Sequence, residues 1–505
     1  MPTTLIRNGR LITASEDFVA DILIEGETIK LIGTDLPLQA ERVINATGLL
    51  VFPGGIDPHV HLHYPQGPNR IVSSDDWLTG TIAAAFGGTT TVLDFVEAKP
   101  GESFLRAFDA RLAEASDAVI DFGFHMTFNR ADDAARAQVP AVIAAGMSSF
   151  KIYMAYDNIR LTDREMLVAL ETLKAHNGLP IIHAEDHDVI VNLGAQQIAQ
   201  GHTEPRWHPF TRPIAGEADA TARALAFAEI VGVPMHIVHV STARGLRAIA
   251  DQRARGFPST PQRSTQGVTG EVCAQHLLLT DALYDQPSVE PAKYVMAPPL
   301  RPESDTRALW EGLRDGALEF VITDHCPFTM AQRLGQRRTP EFRKLPTGVV
   351  NNPTEPAWSN ELPAFNRMPG GAPGIETRVP LLFHYGVNEG RLSLNQFVNV
   401  TSTAAAKLFG LYPRKGTLAP GADADIVLFD PARQVTISAQ TLHQNCDYTP
   451  YEGMRVKGWA RTVLCRGEVI VENGAFKGTA GGGKYLKRSN YAASPGIIHV
   501  CRPVR

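Results

Sequence analysis

GIDPHVH, residues 55 to 61, opens a series of apolar, strand-like runs that decides the fold. The later members are TTTVLDF (89 to 95), FGFHMTF (122 to 128), SSFKIYM (148 to 154), LPIIHAE (179 to 185), PMHIVHVS (234 to 241), EVCAQHLLL (271 to 279) and EFVITDH (319 to 325). Between them lie Ala- and Leu-rich stretches with helical spacing, among them SFLRAFDARLAEA, ADDAARAQVPAVIAAG and EADATARALAFAEIVG. Eight strand-then-helix units predict an α/β protein with a parallel (β/α)8 TIM barrel, whose functional groups gather at the C-terminal ends of the strands.

The segments outside this series have a different texture. TLIRNG and DILIEGETIKLIG near the start, and ADIVLFD (424 to 430) and RTVLCRGEVIVENG (461 to 474) near the end, alternate apolar and polar residues around tight turns. Alternation of this kind reads as antiparallel β structure. The expected organisation is therefore 1–54 as the N-terminal part of a small β-sandwich, 55–390 as the barrel, 391–480 as a helix plus the C-terminal part of the sandwich, and 481–505 as an arm contacting a neighbouring subunit. Gly/Pro-rich passages at 256 to 268 and 327 to 375 are long enough to be functional lids, oligomer contacts or disordered segments, and the 329 to 368 stretch, with Trp358 and Phe365, would add a wall to the pocket or pack on the surface.

The chain has 505 residues, with 48 Lys and Arg against 53 Asp and Glu and a net charge of −5. That balance gives no field suited to gathering nucleic acid or an anionic membrane, so a small-molecule ligand is expected. The five cysteines (Cys273, Cys326, Cys446, Cys465 and Cys501) show no CxxC spacing. Neither a disulfide framework nor a thiolate zinc site is indicated. No basic-then-apolar leader and no stretch of roughly 18 apolar residues is present, so a cytoplasmic protein is expected.

Chemistry-bearing residues fall at the ends of the runs. His59 and His61 form an HxH in which period-two alternation turns both imidazoles to one face, as two ligands of one metal require. Lys151 sits within an apolar strand, where an unpaired ammonium is costly, so it should be paired, neutralised or modified. His183 ends the fifth run. In the sixth, strict alternation puts His236 and His239 on opposite faces, so His239 is the expected inward residue and His236 a structural one. Asp324 ends the eighth run, with His325 turned away. Imidazoles, a lysine and a carboxylate without thiolates suit zinc or another borderline divalent ion.

Ordered motifs then identify a relationship. PGGIDPHVHL, AAAFGGTTTVLDF, SSFKIYMAY, HAED, HIVHVST, AKYVMAPPLR, TDHCPF, the PGIE of MPGGAPGIE, AAKLFGLYPRKGTLAPGADADIVLFDP and DYTPYEGMRVKGWARTVLCRGEV resemble the dihydropyrimidinase and D-hydantoinase family of the amidohydrolase superfamily, from about residue 5 to residue 488. The resemblance implies two zinc ions per subunit, bridged by a carbamylated Lys151 and a hydroxide. His59, His61 and Asp324 would hold the more buried ion, and His183 and His239 the second. It further implies that Tyr156 stabilises the oxyanion, that Asp324 moves the proton, and that ring opening of dihydropyrimidines and 5-substituted hydantoins gives N-carbamoyl amino acids. A homotetramer built from dimers is implied on the same ground.

Some positions depart from the family. Backbone groups that hold the substrate's ring amides map to Ala297 and Gly370, where many relatives carry Ser and Asn. His63 stands where Asp is usual, in the loop LHYPQGPNRIVSSDDW, which is about two residues longer than the family pattern. His63 is expected to line the pocket or bond a ligand carboxylate. Its presence also argues against dihydroorotase, which would need an arginine there. Allantoinase or a cyclic imidase remains as an alternative with the same metals, and a non-catalytic scaffold of this family is disfavoured because every ligand position is filled.

Overall fold

The computed structural model describes residues 2–36, 39–66, 71–255, 267–335 and 363–489. Five strands precede the barrel: β1 (Thr3–Ile12), β2 (Asp17–Glu25), β3 (Thr28–Gly33), β4 (Arg42–Asn45) and β5 (Leu50–Pro53). The barrel strands follow: β6 (Gly55–Val60), β7 (Thr89–Val96), β8 (Asp121–Thr127), β9 (Ser149–Tyr153), β10 (Leu179–His183), β11 (Met235–Ile237), β12 (Val268–Cys273) and β13 (Phe320–Ile322). They pair in sequence order, all parallel, and the ends meet through a parallel bridge between Val60 and His325. Every residue of β7 is buried, as expected for a parallel strand covered on both faces.

The helices are punctuated by local chemistry. The helix Asp163–His176 starts at Thr162, whose hydroxyl accepts from the Glu165 amide while the Glu165 carboxylate accepts from the Thr162 amide. It stops at Asn177, which takes the left-handed conformation. Inside the barrel, Leu93, Phe95, Leu179, Ile181, Val238, Phe320 and Ile322 form a closed apolar layer.

The chain's two ends join in one nine-stranded sheet, the β module expected from the alternating segments. β14 (Ile426–Thr436) pairs antiparallel with β5, β15 (Arg455–Cys465) with β14, β16 (Glu468–Glu472) with β15, and β17 (Ala475–Phe476) with β16. Ile6, Leu11, Ile22, Ile24, Val51, Ile426, Leu428 and Leu464 form its own core.

One expectation needs correction. The seventh run is not a strand throughout: β12 ends at Cys273 and Ala274–Leu278 is helical. The described part of the expected arm, 481–489, lies on this chain's own barrel. Phe122 donates to the Lys484 carbonyl (3.0 Å), and Leu486 donates back to Phe122 (2.7 Å). Leu486 is fully buried beside Leu93 and Leu179, plugging the floor of the barrel. The last residues of that arm, the 256–266 part of the first Gly/Pro-rich passage, and Trp358 lie outside the described residues. Phe365 is buried and its amide donates to the Thr203 carbonyl. Among the described residues no helix is long and apolar enough to cross a membrane.

Candidate metal centre

His59, near the end of β6, and His61, just beyond it, meet Asp324, two residues past β13, at the C-terminal mouth of the barrel. Asp324 Oδ1 is 3.3 Å from His59 Nε2 and 3.0 Å from His61 Nε2, and one ligand atom from each residue lies within 4.8 Å of the others. Lys151 of β9 is buried, with Nζ 3.4 Å from His59 Nε2. On the other flank, His183 Nδ1 is 2.9 Å from His239 Nε2, and the His59 and His239 rings are 5.6 Å apart. The six residues singled out from the ends of five runs therefore converge on one site.

Burial dominates the electrostatics. It holds the His59 and His239 imidazoles far below the usual histidine range, so both are neutral and have a lone pair to offer. Burial also pulls the Lys151 ammonium down to about 8, against the opposing pull of Asp324 and Glu271. The Asp324 carboxyl feels the reverse balance: burial favours its neutral form, but the His61 hydrogen bond and nearby positive charge prevail and keep it below the usual carboxylate range. Tyr156 is half-buried, and the loss of solvent around its phenol pushes it up to about 12. Its ring lies 5.2 Å from that of His183, and its backbone is left-handed (φ 76°). A tyrosine accepts that conformation only when its surroundings enforce it.

The strict alternation argument for the sixth run fails in the structure. β11 ends at Ile237 and His239 has φ 37°, so alternation stops between the two histidines and both face inward. His236 occupies a lower layer, stacked on Phe320, with Nδ1 2.8 Å from Thr269 Oγ1 and Nε2 3.1 Å from Glu271 Oε2. His325 points away as expected, toward Asp75 and the Gly374 amide. His63 stands apart from the cluster: it is half-exposed, and its Nδ1 faces Glu114 at 3.8 Å.

Several supporting residues escaped sequence reasoning. Glu271 accepts from His59 Nδ1 at 2.6 Å. Glu185 accepts from His183 Nε2 at 2.9 Å and pairs with Arg212; these partners outweigh burial and hold its carboxyl down to about 2. The buried-charge argument that exposed Lys151 applies equally to Glu271 in its apolar run and would have found it.

The donor set fits a cation. With Nδ1 held by Glu271, His59 has Nε2 left to face the site, where it meets a carboxylate oxygen. His61 Nδ1 is buried with no hydrogen-bond partner among the described residues. Neutral imidazoles aimed at one another and at a carboxylate are the arrangement a divalent ion resolves.

Ala297 and Gly370 lie on stretches linked by main-chain bonds to the segment that follows Asp324. Ala372 pairs with His325, Cys326 donates to the Ala372 carbonyl (3.1 Å), and Gly371 donates to the Val295 carbonyl (3.0 Å). The Gly370 amide donates to Gln66 Oε1 at 2.6 Å.

Comparison with known proteins agrees with this geometry. The Amidohydrolase family model matches residues 50–470. A D-hydantoinase of Geobacillus stearothermophilus is 42% identical over 97% of this chain and 98% of its own, and a D-phenylhydantoinase of Escherichia coli O1:K1 / APEC is 39% identical over 96% and 98%. The crystal structure of dihydropyrimidinase from Brevibacillus agri NCHU1002 superposes with a TM-score of 0.88 at 42% identity, covering 97% of this chain and 99% of that one. The chain belongs to the amidohydrolase family and, within it, to the dihydropyrimidinase and D-hydantoinase group of cyclic amidohydrolases.

Proposed function

We propose that the protein opens 5,6-dihydropyrimidine and 5-substituted hydantoin rings by hydrolysis, giving N-carbamoyl amino acids, with two zinc ions bound between a carbamylated Lys151 and the surrounding ligands. The observation that carries this reading is the convergence of His59, His61, Lys151, His183, His239 and Asp324 at one barrel mouth, in a chain related over nearly its whole length to hydantoinases. His59, His61 and Asp324 would hold one ion, and His183 and His239 the other. Carbamylation would require the Lys151 ammonium to lose one proton, after which the neutral amine nitrogen bonds the carbon of carbon dioxide and a second proton leaves. A buried cation would thereby become an anion able to serve as a ligand. Bound zinc supplies Lewis acidity and a water made acidic enough to ionise near neutral pH.

The chain's own groups do the rest. Asp324, kept ionised, accepts the water proton at its carboxylate oxygen and returns it to the ring nitrogen as the carbon–nitrogen bond breaks. Tyr156, kept protonated, donates a hydrogen bond to the carbonyl oxygen as it becomes an oxyanion. The main chain at Ala297 and Gly370 orients the ring amides. His63, half-exposed with its Nδ1 3.8 Å from Glu114, would line the pocket or bond a ligand carboxylate.

The test is a substrate panel of dihydrouracil, hydantoin, 5-phenylhydantoin, allantoin and succinimide, given to enzyme supplied with zinc and bicarbonate. Turnover of dihydrouracil or the hydantoins is expected. Turnover confined to allantoin or succinimide would keep the chemistry and overturn the substrate class.

A further inference from the structure

Arg333 lies on the short helix Met330–Arg333, is fully buried, and reaches the backbone stretches of Ala297 and Gly370 at once. Its Nη1 donates to the Val295 carbonyl and the Pro369 carbonyl, each at 3.0 Å, and its Nη2 donates to the Gly371 carbonyl. Nε donates to the Tyr448 hydroxyl at 2.6 Å. One planar cation thus ties 295–297 to 369–371, and the fixed fork of a guanidinium sets the spacing between them in a way a flexible ammonium cannot.

Following each main-chain group shows what this tie leaves open. The carbonyl of Val295 is taken by Arg333 and the Gly371 amide; that of Met296 accepts from His208 Nε2 at 2.7 Å; that of Pro298 accepts from His276 Nε2 at 3.1 Å. The carbonyls of Pro369 and Gly371 go to Arg333, that of Ala372 to Cys326. Among the described residues, nothing bonds the amide or carbonyl of Ala297 or the carbonyl of Gly370. Ala297 and Gly370 are also partly open, while their neighbours on these stretches are buried. Being partly open, these groups can be met by water and are available to a ligand that displaces it. Gly371 reinforces the arrangement: its φ is 142°, and a Cβ there would come within 2.4 Å of the Cys326 carbonyl oxygen.

We propose that Arg333 is a positioning residue that holds the main chain of Ala297 and Gly370 at the separation a cyclic amide requires, with His208 fixing the Met296 side. This rests on the reading of Ala297 and Gly370 as ring-amide contacts. Arg333 touches neither substrate nor zinc, so it should act on substrate affinity and leave the chemical step alone.

The experiment compares the parent with Arg333→Met and Arg333→Lys in hydantoin ring opening and in zinc per chain. It adds amide hydrogen exchange of the peptides covering 295–298 and 369–372. Arg333→Met is expected to raise KM at least about tenfold with kcat within about threefold and zinc unchanged, and Arg333→Lys to fall between it and the parent. Exchange should rise in both peptides together and stay unchanged at 57–61. If Arg333→Met does not fold, Arg333→Lys and His208→Leu carry the same two readouts. An unchanged KM, a loss appearing in kcat or zinc, or unchanged exchange in either peptide overturns the proposal. Exchange needs no substrate, so it decides the structural tie even if the parent opens no hydantoin, an outcome that would instead sink the proposed function.

Discussion

Among the described residues, two clusters have the ligand spacing of a metal site, and they differ in how their charge is met. At the barrel mouth, His59, His61 and Asp324 come together; at the opposite end, beneath the terminal sheet, Asp121, Asp425 and Cys465 do. The lower cluster already holds its counter-charges. Lys415 Nζ lies 2.6 Å from Asp121, 2.7 Å from Asp425 and 3.0 Å from Asp423, and Arg466 pairs with Asp121. At the mouth the nearest cation is Lys151, whose ammonium burial weakens and whose nitrogen faces that of His59. Spacing alone therefore does not separate a metal site from a buried ion network. What separates them is whether the donors are already satisfied, and the difference predicts opposite responses to mutation and to zinc.

The largest contrast should come from Lys151→Ala, which is expected to abolish nearly all activity and lower zinc per chain, with partial rescue by small carboxylates such as formate or acetate. Full activity in the unsupplemented variant would refute the carbamate. Asp324→Asn should retain the fold and lose about 10²- to 10⁴-fold in kcat, the range of a lost general acid–base group; an unchanged kcat would remove Asp324 as the proton carrier.

At the lower cluster, Lys415→Met should leave zinc per chain and the activity of folded enzyme intact but cost about 3–5 kcal/mol of stability, because it strands buried carboxylates. Denaturant unfolding monitored beside a zinc assay checks both halves. The same network sets a pH limit. Asp425 and its acidic neighbours outweigh burial and raise the Lys415 ammonium above the usual lysine range. Its contribution is then fully present below the unfolded-state lysine value and lost as pH rises through the folded one, so Tm should fall more steeply in the parent than in Lys415→Met above about pH 10. The smallest effect belongs to Cys465→Ser, for which zinc per chain should not change. A drop of one equivalent would make the lower cluster a metal site and erase the contrast.

The legibility of the two clusters in the sequence follows the same division. His59, His61, Lys151, His183 and Asp324 could be read because each sits at or near the end of a run regular enough for alternation or burial to say where it points. His239 was identified by an argument that breaks down locally, since β11 stops at Ile237 and a left-handed residue turns the second imidazole inward. EVCAQHLLL misled because a short run with neither strict alternation nor a full helical repeat has no period to distinguish strand from helix. Asp121, Asp423, Asp425, Lys415 and Arg466 could not be assembled from sequence, because they meet only when the terminal sheet packs against the base of the barrel. Leu486 was hidden for a similar reason: a lone leucine in a basic segment shows no pattern until it closes the barrel floor. Arg333 likewise gains its meaning only from carbonyls that lie far apart along the chain.

The most direct test of the central claim is to measure hydantoin ring opening and zinc per chain on one sample, before chelation, after it, and after zinc and bicarbonate are restored. The account predicts two zinc ions per chain, loss of both zinc and turnover on chelation, and recovery of both together. Turnover that persists in zinc-free protein would contradict it.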